Sequence, residues 1–265
     1  MANTYRLPST PQSIGRVLDA GTALFMVAFP RIVGLALAAQ FAIFVPQIVA
    51  VLLGKPLAFD RATALVMVLY LVATLAFIGP YMGVIVRTWR IANGDDIAAG
   101  DATHIGYRLG LRWLGASLMY SFAVMAGFVL LVLPGIYLAA ALSLYFVLLV
   151  AENSSARASL SRSRELMRGH WWRAVTILSV PLVLVMIVML VVEVLPMLVF
   201  GMDFSNGKVT ASPLLQLLAG TIGALMNGLL TPWTLSVMIA LYHDLRLRRE
   251  GDDLRQRLAG LSITA

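Results

Sequence analysis

Residues 113–151 form a run of 39 positions without one charged side chain. A bilayer core ~30 Å thick is crossed by ~20 apolar residues in a helix, so this run is nearly twice the length of a single crossing. Leu133, Pro134 and Gly135 sit at its middle. Proline lacks the backbone N–H and glycine relaxes the turn, so the run is expected to break there into spans at 113–133 and 135–151. Four more runs have the length of one span: 32–53, 62–86, 174–200 (interrupted only by Glu193) and 213–242. None shows the period-two alternation of a barrel strand. The composition is 60% hydrophobic and 12% charged, against ~45–50% and ~25% in soluble domains. The expected fold class is all-α: a polytopic membrane bundle of six transmembrane helices with short cytoplasmic interfacial helices.

Charge sets the expected orientation. The segments 1–31, 87–112, 152–173 and 242–265 together hold seventeen Arg, whereas Lys55, Arg61 and Lys208 lie in the alternate segments. Basic residues favour the cytoplasmic side of short loops, so both termini are expected in the cytoplasm of a bacterium, with the bundle in its inner membrane. Arg6, Arg16, Asp19 and Arg31 break up any short apolar core of signal type, so the first span is expected to stay in the mature protein. No cysteine is present, which excludes a disulfide framework and thiolate metal sites.

Each cytoplasmic segment ahead of a hairpin reads as a short helix at the interface. In 154–168, Asn153, Ser154 and Ser155 offer N-cap oxygens and Gly169 a C-terminal cap. Ala156, Leu160, Ser163 and Met167 fall on one face, and Arg157, Arg164 and Arg168 on another, followed by Trp171 and Trp172. This is either a lipid-surface helix or one docked on the bundle. Leu24, Phe29 and Arg31 have the spacing of Leu166, Trp171 and Arg173, and Ile105 and Arg112 repeat the outer two positions. The chain then reads as one membrane domain of three units, at about 12–95, 96–152 and 153–243, with a cytoplasmic tail at 244–265.

Two stretches carry a family resemblance. The first is Leu133-Pro134-Gly135-Ile136, then Glu152, then Arg162 through Trp171; the second runs from Leu241, Tyr242, His243 and Asp244 to Asp252, Asp253 and Leu254. Together they resemble the bacterial membrane domain often fused to glycerophosphoryl diester phosphodiesterases, and its stand-alone relatives. The resemblance implies a neighbour's chemistry and not an enzyme here, since the metal-binding acidic cluster and paired histidines of that phosphodiesterase have no room in this chain.

Residue by residue, little points to catalysis. His104, His170 and His243 lie in different segments without an i, i+4 His or Glu partner, so neither a metal site nor a cofactor is expected. Gly79 and Gly83 read as a small-residue helix contact, and Gly220, Ala224 and Gly228 as a packing seam or a homodimer face. Glu193 either marks function within a span or reaches water near the outer headgroups. Gln40, Gln47, Gln216 and Asn227 are further polar side chains within spans, and Gln47 could share a site with Glu193. In 242–254 acids interleave with Arg246, Arg248 and Arg249. Spacing suggests Arg246 with Glu250, and Arg248 or Arg249 with Asp252; alternatively the acids pair with Arg157, Arg162 or Arg164.

The reading that follows is a non-catalytic inner-membrane module. Its Arg-rich cytoplasmic face (Arg157, Arg162, Arg164, Arg168, Arg246, Arg248, Arg249) would bind anionic lipid headgroups or a membrane protein partner, with a homo-oligomer as a further option. The alternative is a small-solute transporter or channel subunit using Glu193, followed by a membrane-embedded lipid enzyme. Nucleic acid is not expected, because the basic residues hug the membrane boundaries without a binding motif.

Overall fold

The computed structural model describes residues 7–52, 61–203, 208–209 and 212–263, with the backbone alone at 61–63, 193, 197, 201–203, 208–209 and 252–263. Nearly all of these residues are helical. The helices are α1 (Ile14–Leu52), α2 (Arg61–Ala92), α3 (Ala99–Leu130), α4 (Val132–Ala141), α5 (Tyr145–Ala151), α6 (Ala156–Met167), α7 (Trp171–Met189), α8 (Leu195–Gly201) and α9 (Pro213–Ile263). Six segments are long and apolar enough to cross a membrane, with α4 and α5 together forming the fourth. A π-helical turn at Leu190–Val194 joins α7 to α8, and Met202–Asp203 pairs antiparallel with Lys208–Val209 ahead of α9.

Two expectations about breaks are corrected. The turn between the third and fourth spans falls at Leu131, which is extended (φ −167°, ψ 155°), and not at Leu133 to Gly135. Pro134 is the third residue of α4, inside the first turn, where its missing N–H leaves no helical bond unmade. The short interfacial helix is separate only at α6. In the first two units the equivalent stretch continues into the span as one helix, so α1 runs 39 residues and α3 runs 32. At ~1.5 Å per residue, 39 residues cover ~58 Å, far more than a bilayer core. The difference is local: Gly169 after α6 adopts φ +87°, a left-handed conformation that stops a helix, and among the described residues of α1 and α3 none does.

The fourth span carries a second break at Leu142 to Leu144 that the sequence does not announce. Ser163 of α6 repairs it. Its hydroxyl accepts the Leu144 N–H at 3.2 Å and donates to the Ala141 carbonyl at 2.9 Å, entirely buried. With Leu160, Leu166 and Met167 buried as well, α6 is docked on the bundle by one face, and Ser155 caps its start by accepting the Ala158 N–H. A broken transmembrane helix needs such a donor and acceptor, because no water is at hand to supply them.

Packing is uneven along the bundle. Leu24, Met82, Ile85, Leu148, Leu166 and Tyr242 are among the side chains that are fully buried, and all lie towards the arginine-rich end. Exposed large apolar side chains such as Leu65, Leu71, Val129, Leu133, Phe200 and Leu214 gather at the other end, as lipid-facing surface does. Helices meet closely where side chains are small. A Cβ on Gly21 would lie 2.6 Å from the Val237 Cα, so α1 and α9 touch backbone to backbone. Gly79 of α2 faces the Tyr107 ring of α3, and Gly83 faces the backbone of Ala102 and Thr103. On α9, Gly220 faces Phe44 and Gln47, and Gly228 faces Leu37, so this stripe looks towards α1 of the same chain.

Candidate functional site

The four basic segments come together at one end, linked by ion pairs, and Asp244 is the hub. Its carboxylate is 3% exposed. Oδ1 accepts the Gln12 N–H at 2.7 Å, while Oδ2 accepts from Arg173 at 3.1 Å and from Arg248 at 2.9 Å. The same two guanidinium groups also donate to the Gln12 carbonyl, Arg248 at 2.7 Å. His243 Nε2 lies 2.9 Å from the Pro8 carbonyl. The N-terminal segment, α7 and α9 are thereby tied at one buried carboxylate.

A second node sits beyond α2. Asp96 pairs with Arg87 at 3.0 Å and with Arg31 at 3.3 Å, and Arg87 also donates to the Arg31 carbonyl. Burial pushes the Asp96 carboxyl up, but the hydrogen bond and charge of Arg87, with the charge of Arg31, outweigh it and hold the group below its ordinary value. The contribution is therefore present above the usual carboxylate range, near ~4, and is lost as pH falls through the lowered value.

A third node joins α5, α6 and α9. The Tyr242 hydroxyl donates to Glu152 at 3.0 Å, Arg162 lies 3.7 Å from Glu152 and 3.0 Å from Glu165, and Arg249 lies 3.7 Å from Glu165. Arg246 pairs with Glu250 at 2.7 Å, as their spacing suggests. Arg248 reaches back to Asp244, and the side chain of Asp252 lies outside the described residues. Across helices the direction is the reverse of that expected: an arginine of α9 meets an acid of α6. Arg31, Arg112 and Arg173, one at the start of each hairpin, each reach a side chain beyond the hairpin's second half: Asp96, Asn153 (2.8 Å) and Asp244.

The arginines therefore differ in their partners. Arg162, Arg246, Arg248 and Arg249 are held by acids of this chain. Arg157, Arg164 and Arg168 are exposed, and among the described residues their side chains make no ion pair or hydrogen bond. Arg157 and Arg164 lie on the face of α6 opposite its buried Ser163 and Leu166, Arg168 follows as the residue that caps its end, and Trp172, four residues further on, is 78% exposed. Trp171 behind it stacks on Tyr137 at 5.7 Å. Among the described residues no three His, Asp or Glu side chains converge as a metal site would require. Gln40, Gln47, Gln216 and Asn227 line one cavity between α1, α8 and α9; the side chain of Glu193 lies outside the described residues.

Sequence reasoning did not single out Asp244 above its neighbours, nor Asp96, Gln12 or Ser163. The one local signal was Arg248 four residues beyond Asp244, a spacing that fits an ion pair on one helix. No protein family, curated protein or solved structure matches the chain.

Proposed function

We propose that this chain is a non-catalytic module of the bacterial inner membrane that binds anionic lipid headgroups through Arg157 and Arg164 of α6 and Arg168 at its end. The observation that carries the reading is the division of the arginines. Those paired with acids already spend their charge within the bundle, whereas the trio at α6 gathers three charges on one side of one helix with no counter-ion among the described residues. Arg16, Arg108 and Arg112 also lack an acid partner among those residues but stand on other helices. A juxtamembrane basic cluster attracts anionic lipid by ~1 kcal/mol per charge, weakened by salt. The exposed Trp172 belongs at the same headgroup level. The likeness to the membrane domain fused to glycerophosphoryl diester phosphodiesterases fits a module that holds lipid beside a partner enzyme.

Replacing Arg157, Arg164 and Arg168 together with Gln is expected to lower the cardiolipin and phosphatidylglycerol retained after gentle extraction by about tenfold or more, since three charges at ~1 kcal/mol each sum to ~3 kcal/mol and ~1.4 kcal/mol is a factor of ten. Native mass spectrometry reads this directly. Equal retention in variant and parent sinks the lipid reading and leaves an acidic protein partner as the occupant of the face.

The reading also requires this end of the bundle to face the cytoplasm, which the distribution of arginines supports. A cysteine at Ser205 is expected to react with an impermeant reagent added outside intact cells, and one at Ser262 is not. The opposite pattern overturns the orientation. The shared partnering of Arg31, Arg112 and Arg173 supports the division into three units.

A further inference from the structure

Two cavities flank α9. The first, of about 500 Å³, is walled by Gln40 and Gln47 of α1, Val194 and Leu198 beyond α7, and Gln216 and Asn227 of α9. The second, of about 640 Å³, lies between α4, α7 and α9 and is walled mainly by apolar side chains, from Phe128 and Val185 to the buried Phe146 and Met238. The hydroxyls of Ser143 and Thr234, unpartnered among the described residues, are also on its wall. Asn227 lines both cavities. Among the described residues its side-chain amide donates only to the Met189 sulfur, at 3.7 Å, a weak acceptor.

The amides of Gln40 and Gln47 make no hydrogen bond among the described residues. Gln40 is half-buried within the span, where hydrocarbon supplies no water and an unpaired amide is expensive, and Gln47, nearer the end of α1, is exposed. The two lie seven residues apart, two turns of one helix, and so look the same way. Gly220 opposite gives them room, since a Cβ there would meet the Phe44 ring at 2.5 Å and Gln47 Nε2 at 3.1 Å. Space for a polar group has been kept where an apolar side chain would pack more simply.

We propose that the two cavities form one site for a lipid with an uncharged, hydroxyl-rich headgroup. The headgroup sits among the amides and one acyl chain passes Asn227 into the apolar cavity. Each amide both donates and accepts, as a sugar or glycerol hydroxyl does. No described side chain lining the amide cavity carries a charge, so a phosphate there would lack a counter-ion. The size of the second cavity is that of an ordinary small-molecule site and its lining suits hydrocarbon. The amide cavity and the Phe128 and Val185 end of the second cavity lie in the loosely packed half whose apolar side chains face the bilayer, so the ligand enters sideways from the membrane.

The test uses the full chain in nanodiscs, prepared without glycoside detergents. Native mass spectrometry follows titration with glucosyl-diacylglycerol, phosphatidylcholine or phosphatidylglycerol of matched chains, and separately with methyl glucoside. Glucosyl-diacylglycerol is expected to occupy the parent about fivefold more than the other two lipids, the scale of one or two added hydrogen bonds. Gln40→Leu with Gln47→Leu is expected to abolish that preference. Val185→Trp, which fills the apolar cavity and leaves the amides intact, is expected to reduce occupancy by about the same factor. The Arg157, Arg164 and Arg168 triple variant is expected to bind the glycolipid like the parent, which keeps this site distinct from the charged face. Equal occupancy by all three lipids overturns the proposal, as does an unchanged preference in the double Leu variant. Binding of methyl glucoside as tight as that of the glycolipid overturns it too, because the apolar cavity then plays no part.

Discussion

The Asp244→Ala variant is expected to melt well below the parent, by the equivalent of about 3–5 kcal/mol, the scale seen when one partner of a buried ion pair is removed. The carboxylate is 3% exposed, and the guanidinium groups that meet it are 18% exposed at Arg173 and 25% at Arg248. Without the acid, both arginines keep a hydrogen bond to the Gln12 carbonyl but lose their only counter-charge among the described residues. The Gln12 N–H also loses its acceptor, so the N-terminal segment is held to α9 by fewer bonds. Glu250→Ala is the matched control. It removes the Arg246 pair, whose partners are 47% and 53% exposed, and exposed pairs at this spacing contribute only ~0.3–0.5 kcal/mol. Thermal unfolding of the purified variants by circular dichroism distinguishes the two. Similar melting of both would mean that Asp244 does not organise the face. Adding Arg173→Met to Asp244→Ala is expected to recover part of the loss, because one uncompensated charge is removed with it.

The second large effect is expected at Gly106, where Leu should cost about 3 kcal/mol or more. A Cβ on Gly106 would fall against the Gly79 carbonyl oxygen and 3.0 Å from the Gly83 backbone nitrogen, so α2 and α3 must separate to admit any side chain. Backbone cannot yield as a side-chain tip can. Gly34→Leu provides the contrast, since nothing lies within 4 Å of a Cβ there. Small residues matter in membrane bundles because they let helices approach where no hydrophobic push drives them together. Scanning fluorimetry of the two variants tests this: the Gly106 variant should unfold earlier or fail to accumulate, and the Gly34 variant should track the parent. The same melting temperature for both would remove close backbone contact as the basis of the α2–α3 seam.

What the sequence made legible follows from how local each signal is. Charge-free runs report the spans, because a bilayer imposes length and apolarity on one helix at a time. The face of α6 was legible for the same reason: Ser163 and Met167 are buried and Arg157, Arg164 and Arg168 exposed, as helical spacing indicates. The break at Leu142 to Leu144 was not, because the group that repairs it is Ser163, nineteen residues from Leu144. Nor was the sorting of arginines. Arg173 meets Asp244 across 71 residues, and Arg249 meets Glu165 across helices, so equal-looking basic residues acquire different roles only when the bundle closes. The turn at Leu131 was misplaced by proline. Pro134 marks the first turn of a helix as readily as a break, and spacing alone does not separate the two.

The central claim is that pairing within the fold, and not the number of arginines, decides which of them meet lipid. Two triple variants test it, each removing three positive charges. One replaces Arg157, Arg164 and Arg168 with Gln, and the other replaces Arg162, Arg246 and Arg249. Enrichment of phosphatidylglycerol around each reconstituted protein, followed as salt rises, is the measurement. The first variant is predicted to lose both the enrichment and its salt dependence, while the second keeps them and loses only thermal stability. Equal loss of enrichment in the two would mean that net charge alone attracts the lipid, and would contradict the account.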